Sequence, residues 1–205
     1  MDTNLSGVGP QAGRARPRHG ADELTASQEE VVTPQALRKT MGRFATGVIV
    51  LTVGGDHIHG MTANSFGSVS LDPPMVLCCV ARSAVMHNAV IAAGSFAVSV
   101  LTADQERQAR YFAGKDRPLG PAQFDGVDWQ PGARTGSPLL AGSLAWLECV
   151  LVDVVGAGDH SVFLGRVLSS GLGQNSPGLL FFDGVYRRTT PSRSWARRRR
   201  RTGVE

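Results

Sequence analysis

Short apolar runs rich in Val, Ile and Leu recur along this chain and are closed by glycine or proline turns, with no strand–helix–strand rhythm between them. A doubly wound parallel sheet needs a helical crossover for each strand, and a helical bundle needs apolar positions every three or four residues. Neither pattern runs through the chain. Twenty-five glycines in 205 residues supply the turns, and 42% hydrophobic residues supply a core. A mainly β, antiparallel, closed or partly closed barrel with a few short helices accounts for this best.

The elements follow from local signals. Thr33-Pro34 pairs an N-cap with a residue favoured at the first helical position, and Leu37, Met41 and Phe44 follow at helical spacing. A helix of about twelve residues ending near Gly47 is expected. Residues 48–53 then read as a buried strand, Gly54-Gly55-Asp56 as a hairpin turn, and 57–62 as the returning strand. His57 and His59 sit by that tip and read as solvated. Residues 75–80 form a buried strand after Asp72-Pro73-Pro74, Ser83 caps a short helix closed by Gly94, and 96–101 is a strand. A helix over 104–112 starts at Thr102 or Ala103. Residues 144–154, 160–168 and 179–187 give the remaining strands, about seven in all. Residues 114–143, rich in Gly and Pro, read as a long functional or mobile segment.

The net charge of +4 first suggests a nucleic-acid binder. Split along the chain, it is −2 over residues 1–36, −1 over 37–186 and +7 over 187–205. The basicity belongs to a tail, so nucleic-acid binding by the body is not expected. Residues 1–32 read as a disordered leader, 33–188 as one domain, and 189–205 as a disordered Arg-rich tail. Cys78, Cys79 and Cys149 give neither a disulfide framework nor a zinc spacing and read as buried thiols of a cytoplasmic protein. The most apolar stretch, 138–158, contains Glu148 and Asp153 and reads as strand, not membrane span.

Three segments can carry chemistry. Residues 60–74 set Thr62, Ala63, Asn64, Ser65 and Ser68 in a strip of small and polar groups. Such a strip suits the edge of a flat heteroaromatic ring with several acceptors, although a plain polar loop has the same composition. Val80, Ala81, Arg82 and Ser83 lead from a strand into a helix N-terminus, which favours a phosphate. Gly158-Asp159-His160 sets an imidazole beside a carboxylate on a turn. Tyr111 and Phe112 fit either a helix core or a cofactor cover. No dinucleotide fingerprint, P-loop, zinc motif or nucleophile elbow is present.

In order, Thr46-Gly47-Val48, the run from Met61 to Phe66, Ser68-Val69-Ser70-Leu71-Asp72-Pro73-Pro74, Phe112-Ala113-Gly114, Gly158-Asp159-His160 and Gly184-Val185-Tyr186-Arg187 resemble the flavin reductase family with its FMN-binding split barrel. The resemblance spans about residues 34–188. It implies reduction of FMN or FAD by NADH or NADPH, with reduced flavin passed to a partner monooxygenase. It also implies a homodimer. By the same resemblance Thr62, Ala63, Asn64 and Ser65 contact the isoalloxazine with Ser68 nearby, and Val80 to Ser83 hold the phosphate. Phe112 lies by the flavin, His160 positions the nicotinamide beside Asp159, and Tyr186 and Arg187 close the site. Ser83-Ala84-Val85 departs from a common Ser-x-Thr at the phosphate, and Pro118 to Pro121 depart from the usual continuation of the lid. Competing readings are a flavin-binding electron carrier, an FMN enzyme with a non-flavin acceptor, or an anion-binding module that uses the Arg tail.

Overall fold

The computed structural model describes residues 32–190; nearly all of the expected leader and of the expected basic tail lies outside the described residues. Helix α1 (Pro34–Met41) opens as the sequence predicts, with the Ala36 N–H donating to Thr33 Oγ1 at 3.1 Å. It stops at Gly42 instead of near Gly47 because Thr46 and Gly47 are taken by sheet pairing. They form the short strand β1 (Thr46–Gly47). There follow β2 (Ile49–Val53), β3 (His59–Ala63), β4 (Phe66–Leu71) and β5 (Pro74–Ala81). Next come α2 (Val85–Ala93), β6 (Ser95–Val100), α3 (Glu106–Ala113) and the minor strands β7 (Trp129–Pro131) and β8 (Pro138–Leu140). The chain finishes with β9 (Ala145–Ala157), β10 (His160–Leu172), β11 (Leu179–Phe182) and β12 (Val185–Arg188).

The main sheet has seven strands in the order β3-β2-β6-β9-β10-β5-β4, all paired antiparallel. Six of the seven expected strands lie in this sheet; the seventh, 179–187, is β11 and β12 of a second sheet, and β4, which the sequence reading takes as a polar strip, is the remaining member, with twelve strands in all among the described residues. The two outermost strands of the main sheet, β3 and β4, are consecutive in the chain and joined only by Asn64 and Ser65. Laid flat, seven strands would set those edges about 29 Å apart, whereas that link reaches at most about 11 Å. The sheet must therefore roll until its edges meet. No ladder joins β3 to β4, so the antiparallel barrel remains split at this seam. β2, all of whose residues are buried, lines the core inside. A second sheet, β1-β11-β12, stands beside the seam.

Two apolar clusters hold the barrel. One packs Val76, Cys78, Val80, Phe96, Val98 and Phe163 against Met86 and Val90 of α2. The other joins Val48, Val50, Leu101, Phe112, Phe124 and Leu179. Gly94 closes α2 in the left-handed region at φ 63°, as its sequence position predicts. Ser83 is not the cap. Ala84 holds that position, because the turn before α2 is closed by backbone bonds from Arg82 N–H to Asp159 O and from Ala84 N–H to Ala81 O.

His59 departs from expectation more sharply, being only 4% exposed. Gln123 donates to its Nδ1 at 3.1 Å while the Gln123 Oε1 accepts the Gly60 N–H at 2.7 Å. Burial, followed by the adjacent Arg117 guanidinium, pushes its pKa down to about 4, so the ring is neutral at pH 7. Arg117 also donates to Gly60 O at 2.7 Å. The segment after α3 is thus pinned onto β3.

Glu148 of β9, 1% exposed, organises the segment between β7 and β8. Its Oε1 accepts the Arg134 N–H, the Thr135 N–H and the Thr135 hydroxyl, and its Oε2 accepts the Ser169 hydroxyl at 2.7 Å. Burial alone would raise its pKa, but the donors from Ser169, Arg134 and Thr135 outweigh it and hold the carboxyl below its ordinary value of 4.5. Its contribution is fully present above the unfolded pKa and is lost as pH falls through the lower, folded one. Glu148→Gln should lower unfolding free energy by about 2 kcal/mol at pH 7, because buried donors lose their charged acceptor. Urea denaturation checks this, and the gap to the unmodified chain should narrow in acid. An equal gap at pH 7 and in strong acid would contradict the assignment.

Candidate functional site

The seam between β3 and β4 opens into a cavity of about 600 Å³. Asn64, Ser65, Phe66 and Gly67 line it from the seam, Leu77 and Cys79 from β5, and Arg38, Met41 and Phe44 from α1 and the loop after it. Phe181 and Gly184 complete it from the second sheet. A smaller cavity of about 110 Å³, lined by Val48, Thr62, Ala63, Asn64, Phe181 and Tyr186, shares Asn64 and Phe181 with the first. The polar strip from Thr62 to Ser65 thus lines two neighbouring cavities, with Asn64 on the wall of both.

Within the strip, the hydroxyls are partly committed. Thr62 donates to Ala109 O at 2.7 Å and Ser65 donates to Cys79 O at 2.8 Å, which leaves their oxygens as acceptors. Ser65 O accepts the Cys79 N–H at 3.0 Å, which fixes the link to β5. Asn64 is exposed, and among the described residues its side-chain amide and the backbone N–H groups of Asn64 and Ser65 have no partner. The Thr46 hydroxyl, at the cavity wall, is buried without a partner. Donors in a plane beside acceptors are what the edge of a flat heterocycle requires, and the volume falls within the range of small-molecule and cofactor sites. The residues present fit a flavin ring.

The second and third segments meet at the same end of the sheet. In the β5–β10 ladder His160 stands opposite Ala81, two residues beyond Cys79, and Arg82 N–H bonds to Asp159 O at 3.0 Å. Gly158, at φ 61°, makes the turn that brings Asp159 and His160 there. Arg82 lies over Gly156, where a Cβ would stand 2.7 Å from its guanidinium. His160 Nδ1 lies 2.7 Å from Asp159 Oδ1. The His160 hydrogen bond, then its charge and more weakly Arg38, hold the Asp159 carboxyl below its ordinary value. An ionised Asp159 accepts the Nδ1 proton and leaves Nε2 free to meet a ligand.

Other expected residues fall elsewhere. Phe112 is fully buried against Gly60 and Phe124 in the second core cluster and presents no surface to the groove. A Cβ on Gly60 would come within 2.6 Å of its ring, so the close packing that removes Phe112 from the site depends on that glycine. Val80 is likewise a core residue. Ser68 lies exposed on β4 beyond the cavity, and Ser83 is exposed in the turn before α2. Tyr186 does line the groove, edge-on to Phe181 with ring centroids 5.5 Å apart and beneath the Arg110 guanidinium at 4.9 Å. Arg187 is exposed on β12. Arg38, Leu77 and Phe181 carry no signal in the sequence as cavity residues, Thr46 and Gly184 enter only through the strings that carry the resemblance, and Cys79 only as the start of the strand-to-helix segment read as a phosphate site. Leu77 and Cys79 could have been found from their alternation with the buried Val76, Cys78 and Val80.

The flavin reductase like domain matches residues 41–190. An NADH-dependent FAD reductase of Streptomyces globisporus is 49% identical over 82% of this chain and 94% of its own length. The reductase subunit HsaB of a flavin-dependent monooxygenase from Rhodococcus jostii is 36% identical over 80% of this chain and 83% of its own. Among solved structures, BorF, the flavin reductase component of a bacterial two-component tryptophan halogenase, superposes with a TM-score of 0.75 at 49% identity. That match covers 78% of this chain and 100% of BorF. A Streptomyces globisporus NADH:FAD oxidoreductase in complex with NAD and FAD fragments superposes with a TM-score of 0.73 at 48% identity, covering 80% of this chain and 99% of its own. A split antiparallel barrel, a groove at its seam and a match through nearly all of the described residues lead to one assignment: the chain belongs to the flavin reductase family.

Proposed function

We propose that this protein is an NADH-dependent flavin reductase that takes FAD or FMN into the groove at the β3–β4 seam and releases reduced flavin to a monooxygenase or similar partner component. The observation that carries the reading is the groove itself, with the unpaired donors of Asn64 and Ser65 on one wall and the Asp159–His160 pair at the adjoining sheet end. The names of the relatives, NADH-dependent FAD reductase and monooxygenase reductase subunit, support the donor and the partner class.

A bound flavin supplies the acceptor for a hydride given up by reduced nicotinamide. The chain's own residues have positioning as their task. The Asn64 amide and the free N–H groups of the link meet acceptors on the ring edge, and the Thr62 and Ser65 oxygens meet a ring N–H. Leu77, Met41, Phe44 and Phe181 would supply apolar wall around a bound ring. His160, oriented through Nδ1 by Asp159, presents Nε2 to the nicotinamide nucleotide. In this reading Arg82 and the turn to α2 attract phosphate, and Tyr186 closes the inner end of the groove.

The α1 face supports a homodimer. None of its residues is buried, and Leu37, Met41 and the following Phe44 are more than half exposed. A second copy would cover that face. Among the described residues, no helix is long and apolar enough to cross a membrane. The cytoplasmic reading rests on the three free cysteines.

Steady-state oxidation of NADH and NADPH with FAD, FMN and riboflavin tests the proposal. Rapid NADH oxidation that requires added flavin is expected. Tightly held yellow flavin with little NADH oxidation would favour an electron carrier instead. Asn64→Ala should weaken flavin binding by about five- to tenfold with little change in stability, since the amide makes no internal bond. His160→Ala should raise the nicotinamide KM or lower kcat while leaving flavin Kd in place; unchanged kinetics would remove His160 from the site.

A further inference from the structure

Of the side chains lining the large cavity, Arg38 alone is charged. It sits in the last turn of α1, exposed, and among the described residues its guanidinium takes part in no ion pair. Lys39 stands in the same last turn and does not line the cavity. The neighbouring cation Arg43 is paired with Asp183 at 3.5 Å, and Arg82 is packed over Gly156. Arg38 is therefore an uncommitted cation at the wall of an otherwise uncharged groove.

A guanidinium fork matches two oxygens of a phosphate ester, and it keeps its charge throughout the working pH range. Both nucleotides in the proposed reaction carry such esters, whereas their ring systems carry little charge for a lone cation to recognise. We propose that Arg38 is the phosphate-recognising residue of this cavity, selecting phosphorylated nucleotides over their phosphate-free counterparts from the α1 wall. The inference rests on the flavin reductase reading and adds to it a determinant on the α1 wall of the cavity. Because α1 buries none of its residues, replacing Arg38 leaves the barrel core untouched.

The test compares the unmodified protein with Arg38→Gln and Arg38→Lys. Flavin Kd is measured by fluorescence for riboflavin, FMN and FAD. KM is measured for NADH and for 1-benzyl-1,4-dihydronicotinamide, a phosphate-free hydride donor. Arg38→Gln should weaken binding by about tenfold or more toward phosphate-bearing ligands only. Loss for FMN and FAD with riboflavin unchanged assigns Arg38 to the flavin phosphate. A raised KM for NADH with the benzyl donor unchanged assigns it to the nicotinamide nucleotide. Arg38→Lys should restore part of either effect, and added salt should erode it. Equal losses for ligands with and without phosphate, or no loss at all, would overturn the proposal. If the unmodified protein binds no riboflavin and oxidises neither donor, the flavin reductase reading fails first.

Discussion

Two residues, Asn64 and Ser65, join the outermost strands of a seven-stranded sheet, and the short reach of that link makes the sheet roll up. Everything at the candidate site follows from where the rolled edges meet. Because β3 and β4 share no ladder, the link keeps backbone donors that an interior strand would have spent on a neighbour. Unpaired donors are costly when buried and useful when they face a ligand. The second sheet and α1 stand over this seam, so the exposed donors become the wall of a groove.

The long β9–β10 hairpin supplies the other half. Its 13-residue strands carry the Gly158 turn to the open end of β5, and the β5–β10 register sets His160 opposite Ala81. On β5 the alternation of the pleat divides labour between its faces. Val76, Cys78 and Val80 fill the barrel core while Leu77 and Cys79 floor the groove. One strand thus contributes to stability on one side and to binding on the other. The Gln123, His59 and Arg117 contacts hold β3 from behind, and Glu148 secures the segment beyond α3.

Much of this was legible in the residues. Thr33, Gly94 and the β-branched run of β2 announce their elements through local chemistry; of the three segments singled out as chemical, the second and third meet at Arg82 and Asp159, and the first is tied to β5 through Ser65 and Cys79. What was not legible depends on packing between distant segments. The end of α1 is set by β1 pairing with β11, a contact across more than half the chain. Spacing alone favours the core for Phe112 and the resemblance sets it by the flavin; the proximity of Gly60 and Phe124 decides for the core. His59 looks like a solvated hairpin residue until the segment carrying Arg117 and Gln123 folds over it. Arg38 carries no motif at all. Its place on the groove arises only because α1 passes over the seam.

The central claim, that the groove at the β3–β4 seam holds the flavin, has a direct chemical probe. Of the three free thiols, Cys78 and Cys149 are buried, and burial pushes each up to about 12, whereas Cys79 is partly exposed on the groove floor. Iodoacetamide should therefore alkylate Cys79 selectively, as read by peptide mass spectrometry. Saturating FAD is predicted to slow that modification at least several-fold without affecting unfolding. Alkylation of Cys79 at an unchanged rate while FAD is demonstrably bound would place the flavin elsewhere and contradict the account.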